Sequence, residues 1–451
     1  MKAFAFAFAF ASAAVAAVAA SACTTEPIDA DDPEPVFTDE ERALLAELRY
    51  DDAPHTDPSN AYVSNAAARS FGHKLFFATD LSGPLVDRDN DGTTGTLGHA
   101  GDTGKIACAS CHVPDANFVD TRSPHRQISL AAKWTPRRSP TLLDVAASPQ
   151  FNWDGRRDTL WNQALGVIEA SGEFNASRLF VAQQIFRVHR ADYEAIFGPL
   201  PPLDDARFPQ LTPATAGCDP GPADAPCRGK PGDADFESMS VDDRTAVTRV
   251  AVNASKAIAA YVTQLRCGSG RFDAWLDGDD SALTRAERRG AALFVGRANC
   301  VGCHTGALLT DGAFHNVGLR PSTVATAFTD VDDRGAAVGI PDAHADPLNA
   351  NGAFSDGPRG ALPAIGPELE GAFKTPTLRC ISNQPSFMHT AQLRTLASVV
   401  DFFDRGGDGV GFPGTSEIAP LGLTERERAD LVAFLSTLEG PGPSAELLAP
   451  P

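Results

Sequence analysis

Apolar residues recur at helical spacing in separated stretches of the chain, and three of those stretches open on the same signal. Thr38-x-x-Glu41, Thr284-x-x-Glu287 and Thr424-x-x-Glu427 each set a hydroxyl three residues ahead of a carboxylate, so that each side chain can cap the other residue's backbone N–H. Apolar stripes follow at once: Leu44, Leu45 and Leu48, then Leu293 and Phe294, then Leu431, Phe434 and Leu438. Residues 61–77 read as a helix running into Leu75-Phe76-Phe77, and residues 155–195 read as helices. Val247, Val250, Ala251, Ala254, Ala257, Ile258, Tyr261 and Leu265 fall on one face of a further helix. The segments between have no apolar period: a Pro/Gly/Asp insertion over 200–235, a linker over 268–283, and a Gly/Pro/Asp/Ala excursion over 320–372. Strand signals are sparse, so the pattern predicts a mainly α fold with long irregular loops.

The ends read differently. Residues 1–22 carry Lys2 and then an uncharged Phe/Ala/Val run closing on Ala20-Ser21-Ala22, the form of a signal peptide cut before Cys23. Ala20-Ser21-Ala22-Cys23 is also a loose lipobox, which makes Cys23 a candidate lipid anchor to a membrane. Residues 23–36 are an acidic, Pro-rich tether. The expected location is the periplasm. The formal charge is −20, and loss of Lys2 with the leader makes the balance one unit more acidic. That sign argues against nucleic acid and for a basic partner.

The chemistry sits in a pentapeptide that occurs twice, Cys108-Ala109-Ser110-Cys111-His112 and Cys300-Val301-Gly302-Cys303-His304. C-x-x-C-H attaches haem c: two thiols add to the vinyl groups, and the adjacent His offers an imidazole to the iron. A zinc knuckle or a redox Cys pair uses the same C-x-x-C, but two copies behind an export signal point to two covalent haems. His112 and His304 are then the axial iron ligands. A helix ending in Leu-Phe precedes each motif, and a helix closes each segment. We therefore expect two cytochrome c-like domains, 37–278 and 279–440, and a tail over 441–451. Cys218, Cys227, Cys267 and Cys380 remain, an even number for an oxidising compartment. Of the three possible pairings, Cys218 with Cys227 and Cys267 with Cys380 is preferred. Asp87 to Gly92 resembles the start of a calcium loop, but Gly98 stands where that loop needs Glu, so a solvated turn is expected.

The motifs LFF then CASCH, RRSPTLLD, FNWDGR, LF then CVGCH, FHNVGL, FKTPTLR, FMH and VVDFFDRGGD occur in that order over about residues 60–440. In this the chain resembles the bacterial di-haem cytochrome c peroxidase superfamily, which includes MauG-type protein-oxidising enzymes. The resemblance implies a peroxide-reacting first haem and an electron-transfer second haem. It implies Glu173 as acid/base in peroxide cleavage, with Gln163 orienting peroxide and Glu169 as the competing carboxylate. It places Trp153 between the haems, and puts Asp144 where the family binds calcium between domains. The family's second haem takes a Met or Tyr upstream of FKxPxLR as its far ligand. Here that position aligns with Ala337, and 305–372 holds neither Met nor Tyr. His344, Met388 and His389 are the candidates left for that ligand, and His125 is a candidate sixth ligand for the first haem. The implied activity is reduction of hydrogen peroxide to water with electrons from a small, basic cytochrome c or cupredoxin, with a homodimer as one compatible state. The alternatives are peroxide-driven oxidation of a side chain on a partner protein, and a non-enzymatic electron-transfer cytochrome.

Overall fold

In the computed structural model the described residues are 34–122, 128–218, 228–321 and 333–451. The chain opens with α1 (Asp39–Glu47), α2 (Ala66–Phe77) and a single turn, α3 (Cys108–Cys111). Next come α4 (Leu160–Glu169), α5 (Arg178–Val188), α6 (Arg190–Phe197), the short α7 (Ala234–Glu237) and the long α8 (Val241–Val262). The later elements are α9 (Arg271–Leu276), α10 (Arg285–Val295), α11 (Ala336–Ala345), α12 (Leu396–Asp404) and α13 (Glu425–Leu435). Two-residue strands β1 (Phe314–His315) and β2 (Phe373–Lys374) pair antiparallel, Phe314 opposite Lys374. The fold is mainly helical, and all three Thr-x-x-Glu capping boxes form, on α1, α10 and α13.

Two large apolar cores result. The first is drawn almost wholly from residues 71–265, with α8 packed on α2, α4 and α5. The second gathers residues 272–438 around α10 and α13. Both are built on the same crossing. The helix ahead of each C-x-x-C-H motif meets a later helix at a glycine: a Cβ on Gly72 would lie 1.8 Å from the Ala257 carbonyl oxygen, and one on Gly290 would lie 2.0 Å from that of Asp430. Only a residue without Cβ permits backbones this close.

The chain ends cross over. Phe37, Leu45 and Leu48 are buried in the second core, not the first. Leu447 and Leu448 of the tail pack on the first core, where the Tyr261 hydroxyl donates to the Leu447 carbonyl (2.6 Å) and the His73 ring meets the Ala449 carbonyl (2.8 Å).

Two sequence expectations are corrected. The linker over 268–283 contains α9, whose Asp273 is buried and paired with the fully buried Arg379 (2.7 Å). The excursion over 320–372 contains α11, which continues through Pro341. Cys267 and Cys380 form the expected disulfide. Cys218 is also disulfide-bonded, but its expected partner Cys227 lies outside the described residues.

Candidate functional site

Helix α4 is held at its start by Thr159, whose hydroxyl accepts from the Asn162 N–H (3.1 Å). From there Leu160, Gln163, Ala164, Val167 and Ile168 follow one helical face, and all five line a cleft of about 1060 Å³, open mouth included. Cys108, Cys111 and His112 line the same cleft, as do Trp153, Arg156 and Glu173. The structure thus brings Glu173, Gln163 and Trp153 together around the first C-x-x-C-H motif. Glu169 is turned away from it: its carboxylate is held by Arg178 through Nε and Nη2, each at 2.8 Å.

The residues fit a covalent haem. His112 Nδ1 lies 3.0 Å from the Phe118 carbonyl, and His304 Nδ1 lies 2.9 Å from that of Leu309. A carbonyl accepts only, so each Nδ1 carries the proton and each Nε2 keeps a lone pair for a metal. Burial lowers the basicity of both rings, which favours the neutral, ligating form. The four motif cysteines are free thiols, outside any disulfide.

Glu173 sits in the turn after α4 and is part-exposed to the cleft. Burial raises its carboxyl above the ordinary range, while Arg156 and Arg157 pull the other way. Arg156 Nη2 stands 4.0 Å from Glu173 Oε1 and is itself bound to Asp154 through Nη1 (3.0 Å). Sequence reasoning missed Arg156, although FNWDGR contains it.

Trp153 is buried at the junction of the two cores but belongs to neither apolar cluster. Its indole N–H donates to the Arg138 carbonyl (2.9 Å), and its own carbonyl accepts from the Lys374 N–H (2.8 Å). Beside it Arg137 bridges Asp154 (2.6 Å) and Asp333 (2.6 Å). His389 stacks on Phe373 with ring centroids 3.5 Å apart and lies 6.4 Å from the indole.

Around the second motif, Ala337 packs in a small apolar cluster with Phe314. The next residue, His315, bridges Asp311 (2.9 Å) and Glu417 (2.6 Å) and lies with Asp311 beside Cys303. Met388 and Cys300 both pack against the second core. His344 is exposed on α11, and its Nε2 meets the Pro363 carbonyl (3.0 Å). His125 lies outside the described residues.

Calcium at Asp144 does not fit. The carboxylate is buried, and its neighbours are donors: Tyr50 Oη (2.7 Å), Arg266 Nε (2.7 Å) and the Cys267 N–H (3.0 Å), with His55 Nε2 at 3.2 Å. Burial alone would raise this carboxyl, yet His55, Cys267, Tyr50 and Arg266 together hold it below the usual carboxylate range. A guanidinium occupies the place of a metal cation, and the oxygen-rich shell that calcium needs is missing. Chelation with EDTA is therefore expected to leave the melting temperature unchanged. A fall restored by added calcium would contradict this donor set.

The model of the family described as "Di-haem cytochrome c peroxidase" matches residues 66–217. The methylamine utilization protein MauG of Methylorubrum extorquens is 30% identical over 338 residues, 75% of this chain and 73% of that protein. The cytochrome-c peroxidase IdrP1 of Denitromonas iodatirespirans is 28% identical over 387 residues, 82% of this chain and 80% of its own. Among solved structures, the diheme peroxidase BthA of Burkholderia thailandensis superposes with a TM-score of 0.59 at 21% identity, covering 88% of this chain and 95% of its own. A MauG-like protein associated with microbial copper homeostasis gives 0.55 at 22% identity, covering 89% and 97%.

Proposed function

Because the chain belongs to the di-haem cytochrome c peroxidase and MauG family, a family of haem oxidoreductases, we propose that it is a periplasmic peroxidase. It reduces hydrogen peroxide with two electrons and two protons to two waters. The observation that carries this reading is the placement of Glu173 and Gln163 in the cleft that also holds Cys108, Cys111 and His112. Bound haem iron would supply the electron chemistry.

The protein's own groups supply the rest. Gln163, offering both a donor and an acceptor, orients peroxide over the α4 face. Glu173 takes the proton from one peroxide oxygen and returns it to the other, so that the departing oxygen leaves as water. Arg156 holds positive charge beside this carboxylate and steadies its ionised form. Apolar neighbours such as Leu160, Val167 and Ile168 limit water in the cleft. Trp153, at the junction of the cores, would shorten the path for electrons to the first cleft from a haem held at Cys300 and Cys303.

The donor is a small basic cytochrome c or cupredoxin, drawn by a chain of formal charge −20. The test is steady-state consumption of peroxide with a reduced basic cytochrome c. Turnover at low donor concentration should fall as salt is raised, because screening weakens steering. Failure to oxidise any such donor, together with side-chain oxidation of a partner protein by peroxide, would favour the second reading, in which the enzyme acts as MauG-type enzymes do. The 30% identity to a MauG protein is the observation behind that alternative. Ala337 weighs against a strict copy, since a Tyr ligand is missing there.

A further inference from the structure

Two consecutive arginines line the first cleft, and they are treated differently by the fold. Arg137 is neutralised by Asp154 and Asp333. Arg138 is buried, 6% exposed, yet every partner of its guanidinium is neutral: Nη1 donates to the Ser386 carbonyl (2.6 Å), Nη2 donates to Gln384 Oε1 (2.9 Å), and the Trp153 ring centroid lies 5.5 Å from its central carbon. Its Nε has no partner. Nearby, Asp154 and Asp333 are already engaged by Arg137, and Asp154 by Arg156 as well. Burial pushes the guanidinium down to about 9 with no carboxylate opposing the shift. An uncompensated buried cation is strongly unfavourable, so a site built this way calls for an anion from outside the polypeptide.

We infer that Arg138 is a carboxylate-binding residue for the haem attached at Cys108 and Cys111, pairing its guanidinium with a haem propionate. The planar fork suits a carboxylate, and the unpartnered Nε is a donor still available to it. Because the Arg138 backbone also holds the Trp153 indole and accepts no change of place without moving it, this pair ties the haem edge to the junction of the two cores. Arg138 acts as a positioning residue that raises the potential of the first haem. The inference rests on haem attachment at the first motif and is independent of which donor supplies electrons.

The test is a redox titration of the haem-loaded protein, with haem content verified by mass. Each haem is assigned by its loss in Cys108→Ala or Cys300→Ala. Arg138→Gln removes the charge and should lower the potential of the first haem, so that its oxidised-to-reduced ratio at fixed solution potential rises about tenfold, or about 59 mV for one electron. Arg138→Lys keeps the charge and should recover most of the shift. Gln384→Leu removes a neutral acceptor and should leave the potential in place. An unchanged first-haem potential in Arg138→Gln, a shift confined to the second haem, or an equal shift in Gln384→Leu would each overturn the assignment.

Discussion

Glu173→Gln is expected to reduce peroxide turnover about a hundredfold or more, the scale of a lost general acid/base, with both haems still attached. The amide keeps the shape and polarity of the side chain and cannot take up the peroxide proton. Glu169→Gln should leave turnover near that of the parent, because Glu169 is committed to Arg178 and lies outside the cleft lining. A pH profile separates the two further. The Glu173 carboxyl is raised by burial, and the reaction begins from its ionised form. Turnover of the parent should therefore decline as pH falls through that raised value, and the decline should vanish in Glu173→Gln. If Glu169→Gln instead carries the loss, the acid/base has been placed one helical turn too late.

Arg379→Met should be the most damaging single change to stability, costing about 3–5 kcal/mol, the usual result of stripping one partner from a buried ion pair. Arg379 is fully buried and grips Asp273 with two nitrogens, at 2.7 and 3.0 Å. Its remaining donors reach the Leu48 carbonyl (2.6 Å) and the Ala307 carbonyl (2.9 Å), while Asp273 also accepts from the Tyr50 N–H (2.8 Å). One guanidinium thus joins the residues after α1, helix α9 and the segment after the second haem motif. Methionine would fill most of the space but leave Asp273 ionised without its cation. Denaturant unfolding of the haem-loaded protein measures this, and a change below about 1 kcal/mol would mean that water or Tyr50 replaces the arginine.

What could be read in the sequence was local. A capping box spans four residues and a haem motif five, so each is complete within one stretch of chain, and all three capping boxes form where expected. The α4 face that carries Gln163 also has a period that a sequence displays. The rest depends on partners far apart. Arg137 and Asp333 are 196 positions apart, and Arg266 and Asp144 are 122 apart. No spacing rule links them, so the arginine that faces Asp144 is not legible in the sequence. The alignment at Asp144 supplied a carboxylate but not what stood opposite it. Helix α11 escaped notice for another reason: Pro341 inside it and Gly, Ala and Asp around it are the composition of a loop. For α1, the apolar stripe identified a buried face without telling which core would bury it.

That exchange of ends bears on how the protein comes apart. Peeling α1 away exposes Leu45 and Leu48 and uncovers the second core, although α1 precedes the whole first core in the chain. Releasing the tail frees the Tyr261 hydroxyl and uncovers the first core, although the tail follows the whole second core. Each core is thus closed by a strap that belongs, in chain order, to the other. The Cys267–Cys380 bond ties the residues after α8 to the segment after β2. Residues 35–451 form one compact unit and are expected to unfold together, so a cut between the two haem motifs should release two pieces that each lack their own lid.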